Sequence, residues 1–138
     1  MATAVFEFAK TLDGRNPPEL LKATAGAAVT KGAPLVWSSG KLVEATGGAN
    51  TGGVVGVAAV AAAADGDTLQ YYPTLPTVMF KTLTSYFSTT PALGALYGLV
   101  ATTLRVDVSN TTQVRCRVIE GPDAETKYGV VFNGWLTV

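Results

Sequence analysis

The sequence predicts an all-β fold, a small β-barrel or sandwich of short antiparallel strands with an extended N-terminal arm. Three observations carry this. Segments rich in Val, Thr and aromatic residues alternate apolar and polar side chains with a period of two. Glycine and proline turn signals separate those segments at short intervals. Hydrophobic residues make up 48% of the 138-residue chain, enough for one core without disulfide or metal staples.

The first candidate strand, Thr3 to Ala9, sets Ala4, Phe6 and Phe8 against Val5 and Glu7. It reads either as the opening strand of the domain or as an arm seeking a partner's sheet. Asn16-Pro17-Pro18 then opens a single helical turn, with Asn16 as N-cap and Pro17 at the first position, or continues an extended arm. Residues 1–26 are thus an N-terminal arm and connecting segment, and residues 27–138 a β-rich domain. Pro34 to Trp37 and Lys41 to Ala45 form a hairpin around the three-residue loop Ser38-Ser39-Gly40. Val54 to Val60 reads as a strand ending in a small-residue bend, because the flanking glycines leave little room for an alanine helix. Thr68 to Tyr72, Thr77 to Leu83 and Tyr128 to Val138 are further strands. Leu104 to Val108 and Val114 to Val118 alternate strictly, and the short polar link between them predicts an antiparallel hairpin. Gly47 to Gly53 reads as an exposed loop.

Composition excludes several functions. Ten basic residues balance ten acidic ones, so no basic face is available to displace counterions from nucleic acid. The chain has no histidine, which removes Ser-His-Asp and Cys-His chemistry and histidine zinc ligands. A single cysteine, Cys116, excludes an internal disulfide and reads as a small buried apolar residue. The longest apolar run, Val54 to Ala64, is shorter than the roughly 18 residues of a membrane span, and the start lacks the pattern of a signal peptide. No cofactor and no enzyme activity are expected.

Each chemical motif has a simpler reading. Ser38-Ser39-Gly40-Lys41 has the spacing of a Ser-Lys nucleophile pair but falls at a hairpin tip. Asp65-Gly66-Asp67 lacks the further oxygen ligands of a calcium loop and reads as a turn. Asp123 and Glu125 have no apolar surroundings to separate their pKa values and read as a solvated loop. Arg105, Arg115 and Arg117 make a short basic stripe suited to a solvated face or to an acidic protein partner. Trp37 and Trp135 read as core or interface anchors.

The ordered series Lys31-Gly32-Ala33-Pro34-Leu35-Val36, Lys41-Leu42-Val43-Glu44-Ala45, Gly53-Val54-Val55-Gly56-Val57-Ala58 and Asp65-Gly66-Asp67-Thr68-Leu69 resembles the head decoration, or capsid cement, proteins of tailed bacteriophages. Leu93-Gly94-Ala95-Leu96-Tyr97-Gly98-Leu99 is similar to that group too, so the resemblance spans about residues 27–138. It implies a structural virion protein on the exterior of the capsid, made in the host cytoplasm, that reinforces contacts between major capsid subunits. The implied partners are the major capsid protein and further copies of the chain, with a trimer favoured. No catalytic residue transfers. Val5, Phe6, Phe8, Arg15, Pro17 and Pro18 are the expected contact residues of the N-terminal arm, which docks on capsid or on an adjacent copy by strand addition. Two alternatives fit the same residues: a tail or baseplate component, and a carbohydrate-binding adhesive module that uses Trp37, Tyr71, Tyr72 and Trp135.

Overall fold

Two continuous apolar stretches, around Leu35 and around Val57, organise the molecule, because strands that are apolar on both faces must be covered on both faces. In the computed structural model, which describes residues 6–14, 16–45, 54–75, 77–83, 86–87, 89–99, 106–108 and 116–132, they become two central strands. The strands in order are β1 (Glu7–Thr11), β2 (Leu21–Thr24), β3 (Pro34–Ser38), β4 (Lys41–Glu44), β5 (Gly56–Ala58) and β6 (Thr68–Pro73). They continue with β7 (Val78–Leu83), β8 (Leu96–Leu99), β9 (Val106–Asp107), β10 (Cys116–Glu120) and β11 (Lys127–Phe132). No α-helix occurs among the described residues.

The strands form a six-stranded sheet, ordered β1-β7-β11-β10-β8-β9, and a five-stranded sheet, ordered β2-β6-β5-β3-β4. Every pairing between named strands is antiparallel. The chain is all-β as expected, and of the two architectures it adopts the sandwich. The five-stranded sheet curls until its edges touch at one parallel bridge, Ala25 to Leu42. There the Gly26 N–H donates to the Leu42 carbonyl at 2.8 Å.

Alternate residues of β3 and β5 serve two cores. Val36 and Val57 face the six-stranded sheet and join Phe6, Phe80, Tyr128 and Phe132. Leu35 and Ala58 face inward with Leu42, Leu69 and Tyr71, inside the curl. Val36 and Leu35 are both essentially inaccessible, as strand residues sandwiched between layers must be.

Four expectations change. Among the described residues the expected hairpin between Leu104–Val108 and Val114–Val118 is not seen, because β8 lies between β9 and β10, with Gly98 opposite Asp107 and Tyr97 opposite Cys116; residues 104–105 and 109–115 lie outside the described residues. The β3–β4 loop has two residues rather than three: Ser38 pairs with Lys41, and Ser39 and Gly40 both take positive φ, 51° and 80°. That is the type I′ geometry that matches strand twist. The strand expected over Val54–Val60 is only Gly56–Ala58, since the bend starts at Ala59. Residues 16–20, left open as a helical turn or an arm, take neither helix nor strand and lead into β2, a strand the sequence did not suggest.

The N-terminal segment belongs to this body. β1 pairs with β7 at the edge of the six-stranded sheet, and β2 pairs with β6 in the other sheet. Phe6 anchors the entry, its N–H donating to the Gly32 carbonyl at 3.0 Å. Residues before and after the expected division at 26/27 therefore share the same two sheets.

Candidate functional site

The expected arm residues separate into two groups. Phe6 is 1% exposed and meets Phe132 edge to face at 4.9 Å. Phe8 stacks on Tyr72 at 5.3 Å and lies against Phe80. The apolar surface of Phe6 is spent on the chain's own core, while Phe8 packs against that core and stays half-buried. The same alternation that suits a docking strand also suits a core strand, which is why the sequence left the choice open. Pro17 is exposed and Pro18 half-buried. Val5 and Arg15 lie outside the described residues.

Beside Pro18 the chain forms a shallow groove of about 170 Å³, lined by Thr11, Asp13, Asn16, Pro18, Leu75, Thr77 and Val78. The ends of β1 and β7 build its floor, and the Leu12 N–H donates to the Thr77 carbonyl at 2.7 Å to hold them together. Leu75 is the exposed leucine of its lining; Leu12, Leu20 and Leu21, close in sequence to the lining residues Thr11 and Pro18, are exposed too. The sequence signal was Pro-Pro-Glu-Leu-Leu, apolar residues beyond a helix-breaking pair, but nothing local showed that both leucines would stay uncovered.

The remaining motifs resolve into structural parts. Lys41 Nζ bonds Asp65 Oδ1 at 2.7 Å across an exposed surface, so the amine is an ion-pair partner rather than a base for Ser38. Asp67 Oδ2 accepts the N–H groups of Ala63 and Ala64 at 3.0 and 3.1 Å, and Gly66 takes a φ of 96°. This is a turn held by its own carboxylate. Among the described residues no cluster of three carboxylate or thiol groups is placed to hold a metal ion.

Asp123 is more than a loop carboxylate. Its Oδ2 accepts from Lys81 Nζ at 2.8 Å, and its Oδ1 from the N–H groups of Glu125 and Lys127 at 2.8 and 3.0 Å. The Lys81 ammonium, then the Lys127 N–H, hold the Asp123 carboxyl down at about 2, while Asp123 raises the Lys81 pKa in return. Lys10 and Lys81 both reach Glu120, at 3.3 and 4.0 Å, and Lys127 reaches Glu7 at 3.6 Å. A lysine flanked by Asp and Glu has the composition of an amide-forming triad. Here the lysine and Asp123 form an ion pair at 2.8 Å.

Cys116 is fully buried, and desolvation pushes its thiol up to about 12, so it is inert packing. Tyr71 faces into the curled core and Tyr72 toward the other sheet, while Trp37 stands 52% exposed near the β3–β4 tip. Tyr71 and Tyr72 therefore give no common platform with Trp37 for a sugar, and Trp135 lies outside the described residues. Of the basic stripe, Arg117 is exposed, and Arg105 and Arg115 lie outside the described residues.

No protein-family profile matches the chain, and no curated protein matches it. No helix among the described residues is long and apolar enough to cross a membrane.

Proposed function

We propose that this chain is a structural protein of a phage virion, binding the outer surface of the capsid and reinforcing contacts between major capsid subunits. The observation that supports the reading is the groove at the ends of β1 and β7, lined in part by Pro18 and the exposed Leu75, on a two-sheet body that also leaves Leu12, Leu20 and Leu21 exposed. A cement protein needs such a stiff body and an apolar contact surface, and it needs no reacting group. The buried Cys116, the ion-paired Lys41 and the locked Lys81–Asp123 pair are in keeping with that. Many modest contacts repeated over a shell become strong together, because each later contact is effectively intramolecular.

The test is co-sedimentation of the purified chain with isolated heads and, separately, isolated tails of the phage that encodes it. Saturable binding to heads, with copies in the hundreds per virion by quantitative mass spectrometry, supports the reading. Binding to tails alone moves the chain to the tail or baseplate class, and binding to neither refutes the proposal.

A further inference from the structure

The sheet edges are not alike. β1, at one edge of the six-stranded sheet, is broken by a bulge between Phe8 and Lys10, and β9, at the other, has two residues. Bulges and short strands keep an edge from taking up a further strand. In the five-stranded sheet, β4 meets the chain just after β2 at the Ala25–Leu42 bridge. β2 itself runs four residues in unbroken register with β6, and its other side stands open.

The ladder fixes which backbone groups of β2 point outward. The Ala25 N–H donates to the Asp67 carbonyl at 2.8 Å, and the Gln70 carbonyl, opposite Lys22, turns away to accept from the Ala59 N–H at 2.9 Å. Residues 21, 23 and 25 therefore bond toward β6, while the N–H and C=O groups of Lys22 and Thr24 face away from it. The same outward row continues at Gly26, whose N–H meets the Leu42 carbonyl. β4 follows β2 no further, because it starts at Lys41 and the chain turns back at Ser39-Gly40. Among the described residues no backbone group meets the Lys22 N–H or C=O, or the Thr24 N–H. Ala23 packs against the inner core, and Leu21, on the same face by strand alternation, is 45% exposed. Lys22, on the opposite face, is exposed and has no carboxylate partner among the described residues.

We infer that an extended segment of the partner protein adds to the outer edge of β2 as a further strand of the five-stranded sheet. It bonds the Lys22 and Thr24 backbone, sets an apolar side chain beside Leu21 and presents a carboxylate to Lys22. An open edge selects its occupant by chemistry, since only extended backbone matches alternating donors and acceptors at strand spacing. Here the chain accepts the strand instead of supplying it. The inference rests on the reading of this chain as a virion-binding protein and adds the element that makes the contact.

The experiment is amide hydrogen exchange of the purified chain, free and bound to isolated heads. In the free chain the Lys22 and Thr24 amides exchange faster than those of Ala23 and Ala25, and on heads both slow about tenfold or more. Thr24→Pro deletes one outward N–H and leaves the Ala23 and Ala25 bonds to β6, so it weakens head co-sedimentation about tenfold while the circular dichroism persists. Lys22→Glu alters no backbone group and weakens binding by a similar factor through charge, which covers the case of a proline that unfolds the strand. Head binding without protection of the two amides, or unchanged by both variants, overturns the inference and leaves the capsid reading standing. Slow exchange of the two amides in the free chain overturns it as well, a second copy covering the edge if the protection grows with concentration. If the chain binds tails alone, the same measurements on tails decide the inference while the capsid reading falls. Binding to neither overturns both.

Discussion

Between the two sheets the packing is aromatic, with Phe6, Phe80, Phe87, Tyr97, Tyr128 and Phe132 filling the space. Inside the curled five-stranded sheet it is largely methyl groups: Ala25, Ala33, Ala58 and Ala62 line the wall around Leu35, Leu42 and Leu69. The difference follows from geometry. Two facing sheets stand about 10 Å apart, and rings from both sides are needed to fill that gap. A sheet bent until its edges meet has much less interior, and only small side chains leave room for the few large ones. From the alanine-rich stretch Val57 to Ala64, Ala58 and Ala62 enter that small interior, while Val57 faces the other sheet.

The comparison predicts the largest effect at Phe6. If the N-terminal segment is part of the aromatic core, Phe6→Ala leaves a cavity against Phe132 and costs about 3–5 kcal/mol in urea unfolding. A cost below about 1 kcal/mol would return Phe6 to the status of a detachable arm.

Gly56 tests the small core. A Cβ there would run into the Tyr71 ring at Cδ2 and meet the Tyr72 carbonyl oxygen at 3.0 Å. Gly56→Ala therefore forces the ring to shift inside a space that has no slack, and the expected loss is about 1–3 kcal/mol. An unchanged midpoint would show that the curl is looser than its packing implies.

How far all this was legible in the sequence depends on whether the deciding interaction was local. β3, β4, β6 and β7 follow from alternation or apolar runs bounded by turn residues, and those signals lie within each segment. The pairing of β9 with β10 failed because proximity along the chain was the only available guide, whereas β8 arrives from further upstream and inserts between them. β2 was missed because Leu21-Lys22-Ala23-Thr24 alternates over only four residues and follows a Pro-Pro pair; it is a strand because β6 offers it an edge. For the site, Pro17 and Pro18 were legible as an interruption. The exposed leucines were not, since whether an apolar residue is covered depends on contacts distant in sequence.

Electrostatics at the surface should matter less than either core, and a pH titration shows it. The Asp123 pKa is about 2 in the folded chain, against the ordinary aspartate value of 3.8. The folded value is the lower one, so the stability it contributes is present above about pH 4 and is lost as pH falls from there through about 2. Asp123→Asn should therefore flatten the part of the stability–pH curve between about 4 and 2 and leave the neutral region with the same slope. An acid limb identical to that of the parent chain would show that Lys81 and the two backbone N–H groups do not hold the carboxylate in solution.

The smallest effect is expected where neither core is touched, at the β3–β4 turn. Ser39 has a φ of 51°, a left-handed conformation that costs a serine more than an asparagine, and Gly40 follows it at 80°. Ser39→Asn makes the Asn-Gly pair that type I′ turns favour most, with no contact in either core altered. Stability should rise by about 0.5 kcal/mol or less, read as a shift in the urea midpoint with the slope unchanged. A fall instead would mean that the Ser39 hydroxyl or a different turn geometry holds the hairpin. The two-residue register that places Ser38 opposite Lys41, and Lys41 within reach of Asp65, would then need revision.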